Sequence, residues 1–181
     1  MKALKKIAVL LMTVLCVGIF VSCGQEKNTT PDVSLDTIHQ AVKDAYGENY
    51  LPSMEFTQEE IEEKFGITSD MAEEVFAEGP MISAHVDTLI GVKAKEGQAE
   101  AVEQALNDYR TKMIEEGMTY PMNLPKQEAS QVLREGDYVF FVMLGAYAED
   151  EDVLSSEEKT KEFYEEQTQI GIDAIETALG K

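Results

Sequence analysis

The chain has 181 residues and is strongly acidic, with 35 aspartates and glutamates against 15 lysines and arginines and a formal net charge of −20 at pH 7. Such a charge repels phosphate backbones, which excludes nucleic acid as a partner. The only cysteines are Cys16 and Cys23, so no disulfide or thiol chemistry is expected after residue 23.

The first predicted element is an export signal. Residues 1–6 are basic, and residues 7–21 form an apolar run that is too short for a comfortable membrane-spanning helix. The run ends at Ser22 and Cys23, and a small residue before a cysteine at this point is typical of a bacterial lipoprotein. We therefore expect a signal peptide over 1–22, cleavage between Ser22 and Cys23, and lipidation of Cys23. An uncleaved anchor and an ordinary signal peptide are the two alternatives.

This interpretation also predicts a location. Residues 23–32 comprise the lipidated cysteine and a polar, flexible tether. Two acyl chains on Cys23 hold a protein in a lipid bilayer far more firmly than one. The protein is therefore expected on the extracytoplasmic face of the cell membrane.

Helical patterns dominate the rest of the chain. Thr57 and Glu60 form a capping box, and Ser155 and Glu158 suggest a second one. Spacings of three and four between apolar residues, with Gly and Pro as stop signals, predict the helix boundaries. The predicted helices cover residues 33–46, 57–65, 69–77, 97–116, 123–133 and 155–179.

Two segments are predicted to be strands. Residues 82–94 alternate between apolar and polar side chains, which indicates a strand with one buried face, bent or paired as a hairpin near residues 87 and 88. Residues 138–144 are apolar without alternation, which indicates a central strand covered on both faces. The predicted fold of residues 33–181 is a single α+β domain, with a small, mainly antiparallel sheet covered by amphipathic helices.

Three stretches resemble a known family. Residues 86–95 resemble the strand before its main helix, residues 101–110 the helix that ends in an arginine, and residues 136–142 its closing strand. On these stretches, residues 35–148 resemble the DUF4358 family of bacterial lipoproteins, and the C-terminal helix lies beyond the resemblance. The function of this family is not established, so the resemblance implies a lipoprotein and a fold but no activity.

No catalytic motif stands out. His39 and His85 lack the companions of a zinc site and are expected to be structural or at the surface. Ser156 and Lys159 match Ser-x-x-Lys, but the companion motifs of penicillin-binding enzymes are absent. The acidic run over residues 149–152 is expected to be a solvated loop, with weak calcium binding as the alternative.

Two residues are better candidates for binding. Arg110, one of only two arginines, is expected to pair with Asp108, Glu115 or the carboxylate of a ligand. Tyr120 begins an apolar loop that either caps the core or marks a contact surface.

The sequence predicts a membrane-anchored lipoprotein without catalytic activity or cofactor. It would bind a ligand or serve as the accessory subunit of an envelope machine, with another envelope protein as partner. One alternative is an enzyme that acts on cell-wall or surface glycan through a pair of carboxylates. Another is an accessory to the acylation of surface polysaccharide.

Overall fold

A five-stranded antiparallel sheet forms the centre of the computed structural model, which describes residues 31–82, 84–117 and 119–181. Its strands are β1 (Met54–Glu55), β2 (Ala72–Gly79), β3 (Thr88–Ala94), β4 (Gln131–Glu135) and β5 (Tyr138–Met143). They lie in the order β1-β2-β3-β5-β4, and every neighbouring pair is antiparallel. The predicted signal peptide, its cleavage site at Ser22 and the lipid site at Cys23 lie outside the described residues.

Helices cover both faces of the sheet. They are α1 (Leu35–Tyr46), α2 (Gln58–Phe65), α3 (Ala99–Glu116), α4 (Leu124–Ala129) and α5 (Glu157–Ala178). The helices α1 and α5 pack on one face, while α2 and α3 pack on the other, and α4 lies against α5. Short 3₁₀ turns precede α4 and α5, at Pro121–Asn123 and Val153–Ser155.

The core has two halves, one on each face of the sheet. Leu89, Phe140 and Val142 face the α1 and α5 layer, whereas Ile90 and Phe141 face the α2 and α3 layer. All five side chains are fully buried. The sheet is thus covered on both sides, which is why β5 reads as a continuous apolar run rather than as an alternating one.

Several predictions about the elements are confirmed. The fold is α+β with an antiparallel sheet, and β5 is a central strand between β3 and β4. The capping box of Thr57 and Glu60 opens α2, with both reciprocal hydrogen bonds present. Gly66 ends that helix in the left-handed conformation with φ 72°, which glycine adopts without steric cost.

The helix predicted over residues 69–77 is wrong, because most of this segment is strand β2. Its residues include good helix formers, but local propensity is weak against sheet pairing. The pairing with β3 shifts between Ala72 and Glu74, and this irregularity breaks the alternation that would have indicated a strand.

Three further predictions are wrong in part. The strand predicted over residues 82–94 begins only at Thr88, and residues 84–87, which include His85, are not part of a strand. The helix predicted over residues 123–133 ends at Ala129 and gives way to β4, whose pairing with β5 decides its conformation. The last helix is capped by Ser156, which accepts a hydrogen bond from the backbone of Lys159, rather than by Ser155.

The two ends of the sheet are different. At one end, here named the terminal end, Tyr138 bonds to the backbone of Val33, Lys93 pairs with Asp32, and Lys181 pairs with Glu135. The opposite end, named the loop end, is built from residues 80–82, 84–87, 120–130 and 144–156. The seven residues of β3 separate the two ends by about 20 Å.

Candidate functional site

A buried ion pair lies at the base of the loop end. Lys126 Nζ is 2.6 Å from Asp87 Oδ1, and the two side chains are 1% and 0% exposed. The same ammonium donates to the carbonyl oxygen of Gly145 at 2.6 Å and lies 3.9 Å from the centre of the Tyr147 ring. The Tyr147 hydroxyl donates to Asp87 Oδ2 and accepts from the backbone N–H of Val86.

This network joins the three segments of the loop end. Asp87 precedes β3, Lys126 lies in α4, and Gly145 and Tyr147 follow β5. Asn123, fully buried beside α4, adds a hydrogen bond to the carbonyl oxygen of Ala84. The buried polar contacts therefore fix the relative positions of loops that are distant in sequence.

Burial determines the electrostatics of the network. Desolvation lowers the pKa of Lys126 below its ordinary value, and the charge of Asp87 opposes that shift. Desolvation, together with the nearby Asp87 charge, raises the pKa of Tyr147. Because a buried ion pair gains little net energy over apolar packing, its clearest consequence is a fixed arrangement of the residues around it.

Apolar side chains are exposed around the network. Of the eight large hydrophobic side chains that are exposed in the described part of the chain, six lie in the loop-end segments, Met54 pairs with Gly79 where β2 reaches the loop end, and Ile170 lies in α5. Met81 is 76% exposed and Met122 70% exposed. These seven side chains, here named the loop-end surface, are Met54, Met81, Ile82, Tyr120, Met122, Leu124 and Leu154.

A cleft of about 700 Å³ cuts into the loop-end surface between α4 and the start of α5. Its apolar lining includes Leu124 and Leu154. Its acidic lining consists of the exposed residues Glu128, Glu157 and Glu158. Such a volume is in the range of sites for small molecules or for short segments of a partner.

A second groove, of about 600 Å³, lies between α2 and α3. Desolvation raises the pKa of one of its lining residues, Tyr109, to about 12. Its charged lining includes both signs in equal number, so charge does not select a ligand there. The apolar lining residues are Phe56, Phe65, Tyr109 and Met113, and the charged ones are Glu63, Lys64, Lys112 and Glu116.

A second buried carboxylate, that of Glu78, is neutralised inside the fold. The Tyr50 hydroxyl donates to it at 2.6 Å, His39 Nε2 lies at 3.1 Å, and Lys43 Nζ lies at 3.7 Å. Desolvation alone would raise the pKa of Glu78, but its bonds to His39 and Tyr50 and the charge of Lys43 hold that pKa below the ordinary value. His39 also stacks on Phe76 at 4.4 Å, so this histidine is part of the packing between α1 and the sheet.

Arg110 lies against backbone oxygens rather than a carboxylate. Its guanidinium donates to the carbonyl oxygens of Ser130 and Glu128 and to the Ser130 hydroxyl, at 2.6–3.1 Å. The pairing expected with Asp108 or Glu115 is not among these bonds. The cation instead caps the C-terminal end of α4, where carbonyl oxygens lack helical partners.

Two other candidates from the sequence, Tyr120 and His85, both lie at the loop end. Tyr120 is 60% exposed and belongs to the loop-end surface. The ring of His85 meets that of Tyr147 edge-on at 4.9 Å, in the loop before β3. Asp87 and Lys126 were missed, because neither a single aspartate before a strand nor a lysine after a proline has a distinctive sequence signal.

The acidic loop forms local contacts. Asp150 accepts from the backbone N–H of Asp152, and Asp152 pairs with Lys159 at 2.7 Å. In the described ranges no three histidine, aspartate or glutamate side chains are grouped so that they could hold a metal ion. Over the same ranges, no helix is long and apolar enough to cross a membrane.

The fold and these contacts define an α+β protein whose antiparallel sheet lies between two helical layers. The family model that matches it is DUF4358, a domain of unknown function, over residues 45–144, and the chain belongs to this family. No curated protein and no solved structure matches the chain.

Proposed function

We propose that this protein is a membrane-tethered lipoprotein without catalytic activity, which docks another envelope protein through its loop-end surface. The observation that carries the proposal is the separation of the two ends of the sheet. The described chain begins at the terminal end, beside Tyr138 and Lys93, while seven of the eight exposed large hydrophobic side chains lie at the other end.

The predicted tether determines which end of the sheet is attached to the membrane. With Cys23 in the bilayer, residues 23–32 reach at most about 35 Å and join the domain at its terminal end. The loop-end surface then faces away from the attachment point. An apolar surface in this position favours contact with a protein partner over contact with lipid.

The buried carboxylates support a role without catalysis. Asp87 and Glu78 are 0% and 5% exposed, and each is bound by cationic or hydroxyl groups of the fold itself. Those bonds organise loops and helices and leave the carboxyl groups engaged within the protein. The loop-end surface, in contrast, is exposed and accessible to a partner.

Site-specific photo-crosslinking in cells tests the proposal. A photoreactive residue replaces Met122 on the loop-end surface or, as the matched control, the exposed Thr177 at the terminal end of α5. We expect one dominant envelope-protein adduct from position 122, at least ten times stronger than from position 177. The adduct should be lost when Cys23→Ala removes the tether. No adduct, or equal adducts at both positions, would contradict the proposal.

A further inference from the structure

The side chains that line the cleft between α4 and the start of α5 favour one kind of ligand. It combines the apolar side chains of Leu124 and Leu154 with three exposed glutamates. The one lysine that lines it, Lys161, lies 3.5 Å from Glu165 in the next turn of α5, so its charge is partly compensated. The lining therefore presents an apolar surface beside a net negative charge.

Among the described residues, no cation forms a salt bridge with Glu128, Glu157 or Glu158. Lys159, the nearest other cation in sequence, pairs with Asp152 outside the cleft lining. Glu157 and Glu158 lie in the first turn of α5, where the helix dipole favours negative charge. A ligand with an anionic group would be repelled, while a cation adjacent to an apolar group would match both parts of the lining.

We infer that this cleft binds a short segment of the protein partner in which an apolar side chain lies next to a lysine or an arginine. The inference rests on the proposed function, because it names the part of the partner that the loop-end surface recognises. The apolar side chain enters between Leu124 and Leu154. The basic side chain lies over Glu128, Glu157 and Glu158.

The cleft differs from the rest of the loop-end surface in its dependence on charge. Met81 and Met122 contact a partner through apolar area alone, whereas the cleft adds an electrostatic contribution that salt screens. Exposed charges at the edge of an interface act mainly on the rate of association and on its salt dependence. Removing the cleft acids should therefore weaken capture without unfolding the protein.

The test uses the full-length, tethered chain in cells, with a photoreactive residue at Leu154 and, separately, at Met81. The charge variant is Glu128→Gln, Glu157→Gln and Glu158→Gln together. Its matched control removes three exposed acids from the opposite helical layer, Glu59→Gln, Glu62→Gln and Glu100→Gln. Two of these control acids, Glu59 and Glu100, also lie in the first turn of a helix.

We expect the charge variant to reduce the adduct at position 154 at least fivefold, while the control variant keeps it within twofold of the unsubstituted chain. The partner peptide attached at position 154 should contain a lysine or an arginine within about four residues of the attachment site. An adduct that is unchanged by the charge variant, or an attached peptide without a basic residue, would overturn the inference. If positions 81 and 122 give no protein adduct either, the proposed function itself fails.

Discussion

The buried pair of Lys126 and Asp87 allows a quantitative prediction about stability. Lys126→Met keeps an apolar stem of similar length but removes the ammonium group. The Asp87 carboxylate is then left with the Tyr147 hydroxyl as its remaining side-chain donor. Removing one partner of a buried pair costs about 3–5 kcal/mol of unfolding free energy. For a chain of this size, this corresponds to a fall in Tm of about 6–20 °C.

The two partners of this pair should behave differently. Asp87→Asn leaves a buried lysine, but burial already lowers the pKa of Lys126, so this residue can release its proton and limit the cost. We therefore expect Asp87→Asn to be less destabilising than Lys126→Met. The double variant should cost clearly less than the sum of the two single variants, because neither partner is then left charged and alone.

Urea denaturation of the four proteins, followed by circular dichroism, measures these differences. The matched control is Lys159→Met, which removes a lysine from the exposed pair with Asp152 and should change the unfolding free energy by less than about 1 kcal/mol. A cost below about 1 kcal/mol for Lys126→Met would refute the reasoning. Additive costs in the double variant would refute the coupling between the two residues.

Three further predictions concern the packing around the site. Because the pKa of Glu78 is lowered in the fold, its contribution to stability is present above the ordinary pKa of 4.5 and is lost as the pH falls through the folded pKa. In the Glu78→Gln variant, the unfolding free energy should therefore fall less steeply with decreasing pH below pH 4.5. An unchanged pH dependence would contradict this. Gly91→Ala would place a Cβ 2.3 Å from the Phe76 ring, so urea denaturation should show a loss of about 1–3 kcal/mol, whereas no loss would mean that the ring moves freely. Arg110→Ala removes the hydrogen bonds from the guanidinium to Ser130, and we expect faster amide hydrogen exchange at residues 124–131. Unchanged exchange there would show that the guanidinium does not stabilise the end of α4.

Much of the fold could be predicted from the sequence because its signals are local. The capping box at Thr57 and the apolar run of residues 138–144 each depend on neighbouring residues, and the structure has both elements. The strand β2 could not be predicted in this way, since its helix-forming residues take a strand conformation only through pairing with β3. The same holds for β4, which pairs with β5 directly after a short helix.

The candidate site was less predictable, because it depends on contacts between distant segments. Asp87 and Lys126 are 39 residues apart, and nothing in either local sequence indicates that they meet. Tyr120 could be identified as a candidate because it begins a short apolar stretch in a predicted loop, which either caps the core or marks a contact surface. Its association with Met81 and Leu154 became visible only once the strands had brought their loops to one end of the sheet.

The measurement that tests the central claim most directly is the affinity of the purified full-length protein, in detergent, for the partner that crosslinking identifies. The variant to compare is Tyr120→Ser with Met122→Gln, and the matched control is Ile170→Gln, which removes an exposed hydrophobic side chain that lies outside the loop-end surface. We predict that the first variant raises the Kd at least tenfold, because anchor residues at interfaces contribute more than 1 kcal/mol each. The control should leave the Kd within twofold. An unchanged Kd in the loop-end variant, or equal losses in both, would contradict the account.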